Sequence, residues 1–190
     1  MENKQDNIIL ELIASTLEYP QEDFPEKINE LSNRVENLNT KDSSVSLLKK
    51  FAEFVNTHKI EELQELYVKT FEVNPVCSLY ASIHLFGEES FKRSDFMARL
   101  KQAYNEYGMT FNEKELPDFI PIILRFIAYL KDEKRLGDFI KRCILNPLDV
   151  ISNTMIETLE NKSNPYKSLM EYIKKFAENN LTDLRRINYA

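Results

Sequence analysis

Few side chains in this sequence stand at spacings that could do bond-making chemistry. The histidines, His58 and His84, lie far apart, and neither falls in an HExxH pair or beside a cysteine at metal-ligand spacing. Cys77 and Cys143 form no CxxC and read as buried free thiols of a reducing compartment. Aspartate and glutamate total 31, so no pair stands out as an acid–base couple. GxGxxG and GxxxxGK[ST] are both absent, which removes the usual loops that cradle phosphates. No catalytic group, metal or cofactor is expected. What the residues do advertise is recognition. The stretch ELPDFIPIILRFIAYL (115–130) places Glu115 and Asp118 in a proline-broken entry, ahead of an apolar run interrupted once, by Arg125.

These residues need a scaffold, and periodicity supplies an all-α one. Helices are expected at about 5–18, 24–38, 43–57, 60–72, 77–86, 89–107, 118–131, 133–143, 148–160 and 165–178. In IEELQELYVKTF, steps of three and four put Ile60, Leu63, Tyr67 and Phe71 on one stripe. Phe96, Leu100, Tyr104 and Tyr107 repeat the pattern. The chain has three glycines; Gly87, Gly108 and Gly137 each follow an apolar-periodic run, as helix C-terminal residues do. Pro20, Pro25, Pro75, Pro147 and Pro165 fall in gaps or first turns. The expected architecture is a single-domain bundle of about nine or ten helices over residues 1–178, followed by a flexible C-terminal tail, 179–190. Within it, Asp118 should cap the helix that follows, with Pro121 in its first turn. The apolar run beyond should be the central helix. His84, sharing a helical face with Cys77 and Tyr80, reads as a hydrogen-bonded structural histidine. His58 reads as a solvated helix-end residue.

Charge narrows the partners. A formal net charge of −6 and a pI near 5.2 exclude a nucleic-acid binder, which needs a concentrated basic face, and favour a basic partner. The amino-terminal segment lacks the pattern of a secretory signal. The most apolar window, 119–130, carries Arg125 and is too short for the ~20 residues of a membrane span. A cytoplasmic protein without membrane insertion is expected.

Several ordered motifs resemble one family: YVKTFE (67–72), SLYASIHLFG (78–87), YNEYG (104–108), ELPDFIP (115–121) and SNPYKSLM (163–170). They are similar to the NarJ-type chaperones, the nitrate reductase delta chain, within the TorD/DmsD superfamily of redox-enzyme maturation proteins. The resemblance covers about residues 8–178. It implies a monomeric helical chaperone without catalytic activity. Such a chaperone binds the amino-terminal peptide of the catalytic (alpha) subunit of a membrane-bound nitrate reductase. It assists insertion of the molybdenum cofactor and iron–sulfur cluster before membrane docking. Carried over by position, Glu115, Pro117, Asp118 and Pro121 match the signature, and Tyr67, Phe71, Tyr80 and His84 match the upstream motif; Phe119 and Arg125 stand beside them. The acidic pair would hold the client while Tyr67, Phe71 and Tyr80 line its groove. Charge reversal of Glu115 and Asp118 together is then expected to weaken binding and leave melting nearly intact. Arg125 departs from the family, which usually has an acidic residue there, so another molybdoenzyme of the DMSO-reductase type is the alternative client. A small all-α enzyme and a permanent structural subunit are the competing classes.

Overall fold

A computed structural model of the chain describes residues 3–38, 44–112, 114–130, 141–157 and 164–186. The helices are α1 (Asn3–Thr16), α2 (Phe24–Leu38), α3 (Val45–Thr57), α4 (Ile60–Phe71), α5 (Ala81–Phe86), α6 (Phe91–Glu106), α7 (Ile120–Tyr129), α8 (Asn146–Glu157) and α9 (Tyr166–Arg186). A π-helical turn, Lys141–Leu145, leads into α8. No strand occurs among the described residues; one isolated antiparallel bridge joins Tyr80 to Phe119. The chain is all-α, as its periodicity predicts.

α7 is the central helix. Ile120, Ile122, Ile123, Leu124, Phe126 and Ile127 are all buried, so the helix is apolar nearly all round because it has neighbours nearly all round. α1 packs along α7 and meets α2; α2 meets α3; α3 and α8 both pack on α9. α5 bridges α6 and α8. The predicted amphipathic stripes face this core, with Leu63, Tyr67 and Phe71 of α4 buried, and Leu100 and Tyr104 of α6. Cys77 and Cys143 are both buried, and neither is in a disulfide. Burial pushes the Cys77 thiol up to about 12, which keeps it protonated and unreactive at neutral pH.

Two expectations change, and a third lies mostly outside the described residues. The helix expected from 77 begins at Ala81, because the chain before it bridges at Tyr80 to Phe119: the Leu79 carbonyl accepts from the Ile120 N–H and the Ala81 N–H donates to the Asp118 carbonyl. Cys77 and Tyr80 therefore share no helical face with His84. The last helix runs to Arg186, through residues read from sequence as tail. Finally, most of the helix expected at 133–143 lies outside the described residues, as does Gly137. Gly87 (φ +81°) and Gly108 (φ +74°) do take positive φ at helix ends, where a side chain would be strained.

Candidate functional site

The segment ELPDFIP is fastened to the bundle at nearly every residue. Asp118 is fully buried, and it is not the cap of its own helix: Phe119 holds that position, and Pro121 falls at the second helical residue. α7 has little need of a side-chain cap. The Ile120 N–H donates to the Leu79 carbonyl (2.9 Å), Pro121 has no N–H, and those of Ile122 and Ile123 reach the Phe119 carbonyl. Asp118 instead caps α5. Its carbonyl accepts from the Ala81 N–H (2.9 Å) and its Oδ2 from the Ser82 N–H (3.1 Å) and hydroxyl (2.5 Å). The Ser82 hydroxyl in turn accepts from Arg93 Nε (3.0 Å), whose other end donates to the Glu88 carbonyl. A buried carboxylate is thus linked through one hydroxyl to a guanidinium. Next to it the Tyr104 hydroxyl donates to the Pro117 carbonyl at 2.7 Å, and burial raises its pKa.

Glu115, three residues earlier, faces outward. Its Oε1 accepts from the Tyr80 hydroxyl (2.8 Å) and from the Leu116 N–H (2.9 Å). The tyrosine's pKa is raised by burial and by this carboxylate, so it stays a donor. Beside Glu115 opens a cavity of about 450 Å³, with Tyr19, Tyr67, Phe111 and Phe119 among its walls and Glu18, Glu72, Glu115 and Arg125 as its charged groups. Tyr19 meets Tyr67 edge to face at 5.8 Å. The Tyr67 hydroxyl donates inward to the Leu17 carbonyl (3.2 Å), so this residue offers the cavity its ring. Arg125 is gripped by Glu18 through both oxygens (2.6 and 2.9 Å) and by Glu11 at 3.3 Å.

Of the residues singled out in the sequence, Glu115, Tyr67, Phe119 and Arg125 meet in this cavity. Tyr80 stands one hydrogen bond behind Glu115 and packs on Phe119, ring centroids 5.5 Å apart. Phe71 is core, packed edge-on against Tyr166 at 4.9 Å, and is not a cavity wall. Pro117, Asp118 and Pro121 shape the segment from behind. The two acidic residues are therefore not neighbours on one rim: Glu115 lines the cavity and Asp118 is buried. Charge reversal there would put an unpaired ammonium in the core and cannot leave melting intact. His84 donates from Nε2 to the Ser78 carbonyl (2.7 Å), hydrogen-bonded as its sequence setting suggests; His58 is exposed at the end of α3. Sequence reasoning missed Glu18, Tyr19, Phe111 and the role of Glu72. The first two follow α1 in LEYP, a tyrosine and glutamate before a proline, and only the packing of α1 on α7 brings them here.

A crystal structure from Archaeoglobus fulgidus, assigned as a redox enzyme maturation protein, shares the fold. The TM-score is 0.62, over 90% of this chain and 93% of that one, at 21% identity. The two chains thus share one all-α bundle fold. The model of the nitrate reductase delta subunit family matches residues 38–166, and the chain belongs to that family. It is 26% identical over 172 residues to the probable nitrate reductase molybdenum cofactor assembly chaperone NarJ of Bacillus subtilis, covering 90% of this chain and 89% of the relative. It is 25% identical over 173 residues to NarJ of Escherichia coli K12, covering 90% and 70%. The family is one of chaperones, not enzymes, which sets aside the small all-α enzyme. Among the described residues no helix is long and apolar enough to cross a membrane, and no cluster could hold a metal.

Proposed function

We propose that this chain is an assembly chaperone dedicated to one molybdoenzyme, a nitrate reductase. It holds the amino-terminal peptide of the catalytic subunit in the cytoplasm until the molybdenum cofactor and iron–sulfur cluster are in place and the enzyme can dock on its membrane partner. The observation that carries this reading is the cavity beside Glu115, a concave, aromatic-walled space with carboxylates on its rim. Such a site suits an amphipathic basic segment, its apolar face against rings and its cations against carboxylates. Glu115 is the client's anionic contact, Tyr80 aims it, and Tyr67 and Phe119 supply apolar wall. Asp118, Pro117, Pro121, Phe71 and His84 hold the shape rather than the client.

Calorimetric titration with synthetic amino-terminal peptides of each molybdoenzyme catalytic subunit encoded in the same genome tests this. Saturable binding to the nitrate reductase peptide, weakened by salt, is expected. Glu115→Lys should weaken it by roughly tenfold while melting stays close to wild type. Binding that ignores both salt and Glu115 would remove the cavity from the mechanism. Arg125 favours one second reading, a different molybdoenzyme as client, because it sets a cation where a basic peptide must lie; binding to that enzyme's peptide alone would establish it.

A further inference from the structure

Arg125 lines not one cavity but two. The second, of about 600 Å³, lies between α1 and the end of α7, and its walls include Ile8, Leu12, Met109, Ala128 and Tyr129. Met109, Thr110 and Arg125 belong to both, so the two are halves of one groove, apolar at one end and acidic at the other. Arg125 stands at the junction. Its guanidinium is nearly saturated: Nε donates to Glu11, the two terminal nitrogens grip Glu18 in a fork, and one of them also lies 3.5 Å from the Ser15 hydroxyl. Glu11, Ser15 and Glu18 follow at steps of four and three, along one side of α1 and its exit. Among the described residues, no cation is paired with Glu72 or Glu115.

We infer that Arg125 sets the charge pattern of the peptide this groove accepts, which rests on the reading of the groove as a client site. By occupying Glu11 and Glu18 it leaves Glu72 and Glu115 as the anions open to a client. The matching segment has its cations at one end, an apolar block at the other, and no cation at the junction. A lysine there would meet the guanidinium, or would have to pull Glu18 out of a bidentate, half-buried pair. A carboxylate there is welcome, because the Arg125 side chain is still 27% exposed. The residue therefore acts on selectivity through repulsion as much as attraction.

The test uses the fifteen-residue amino-terminal peptide of the nitrate reductase catalytic subunit, with each uncharged position replaced singly by Lys and by Glu. Each peptide is titrated at low salt into the wild type, Arg125→Gln and Glu18→Gln. One position should favour Glu over Lys by roughly three- to tenfold on the wild type. That preference should invert on Arg125→Gln, which uncovers Glu11 and Glu18, and widen on Glu18→Gln, which frees Arg125. Comparing two peptides on the same protein cancels any loss of folded fraction. Identical Lys-to-Glu ratios on all three proteins would overturn the inference while leaving the groove as the client site. If the parent peptide binds none of them, the groove reading falls first and the inference with it.

Discussion

Glu115 and Asp118 stand in one seven-residue segment, yet they live in different physical worlds. Asp118 is fully buried and spends its carboxylate on the α5 N-terminus and the Ser82 hydroxyl, with Arg93 one hydroxyl away. Glu115 keeps one foot on Tyr80 and opens onto the aromatic cavity. The first joins the crossing of residues 77–82 with 117–120 into one unit, and the second is presented by that unit to whatever enters the groove. Identical charge does opposite work on the two sides of Pro117: inside it specifies where chain segments cross, outside it is left available.

The sharpest way to break this comparison is to remove each carboxylate in turn. Asp118→Ala strands the Ser82 donors and leaves Arg93 facing a hydroxyl with no anion behind it. A loss of about 2–4 kcal/mol is expected. For a chain of this length that lowers the melting temperature by roughly 5–15 °C. Glu115→Ala, which removes a partly exposed acceptor, should shift it by no more than about 2 °C. Thermal melts followed by circular dichroism decide it, and equal shifts would mean that the buried and presented roles are not distinct.

Much of the scaffold was legible beforehand, for reasons that also explain what was not. α2 and α4 show strong helical periodicity between proline or polar breaks, and their observed limits fall within a residue of the expected ones. Local signals fail where the partner is distant. Nothing near Cys77 says that Tyr80 will bridge to Phe119, so periodicity alone sets the α5 start four residues early. Asp118 carries the local signature of an N-cap and is one, but for a helix 36 positions back in the chain. Tyr67, Glu115 and Phe119 sit in recognisable motifs and Arg125 directly after one, which is why the sequence singles out these four cavity-lining residues. Glu18 and Tyr19 were not, since only the docking of α1 on α7 gives them a role. The α9 miss is of another kind: Leu181 and Leu184 continue the spacing of Ile173 and Ala177, and the polar residues around them masked it.

The link between the two environments is Tyr80, so removing its hydroxyl sharpens the comparison without cutting either side. Tyr80→Phe keeps the ring on Phe119 and deletes the bond to Glu115. The net cost to stability is about 1 kcal/mol. Glu115 then loses the donor that aims it, and affinity for the client peptide should fall by roughly two- to fivefold, less than on Glu115→Lys. Titration of the same peptide into both variants measures the ratio. Unchanged affinity for Tyr80→Phe would mean that Glu115 finds its orientation without help.

The smallest expected effect lies at His84, in the last turn of α5. Its Nε2 faces a carbonyl, which can only accept, so that nitrogen carries the proton in the neutral ring. Burial lowers its pKa below the ordinary 6.5, and the bond to the Ser78 carbonyl offsets only part of that. The folded protein consequently binds fewer protons at this site than the unfolded chain does. Linkage then makes stability rise with pH: the contribution is fully present above 6.5 and is lost as the pH drops through that value toward the lower folded-state pKa. Melting temperatures measured between pH ~7.5 and ~5.5, above the range where carboxylates titrate, should decline by a few degrees in the wild type. In His84→Gln, whose amide can donate to the same carbonyl without titrating, the slope should be shallower, because the imidazole whose lowered pKa gives the wild type this dependence is gone. Equal slopes in both proteins would show that protonating His84 costs the fold nothing, and that its bond to Ser78 is as good for the imidazolium as for the neutral ring.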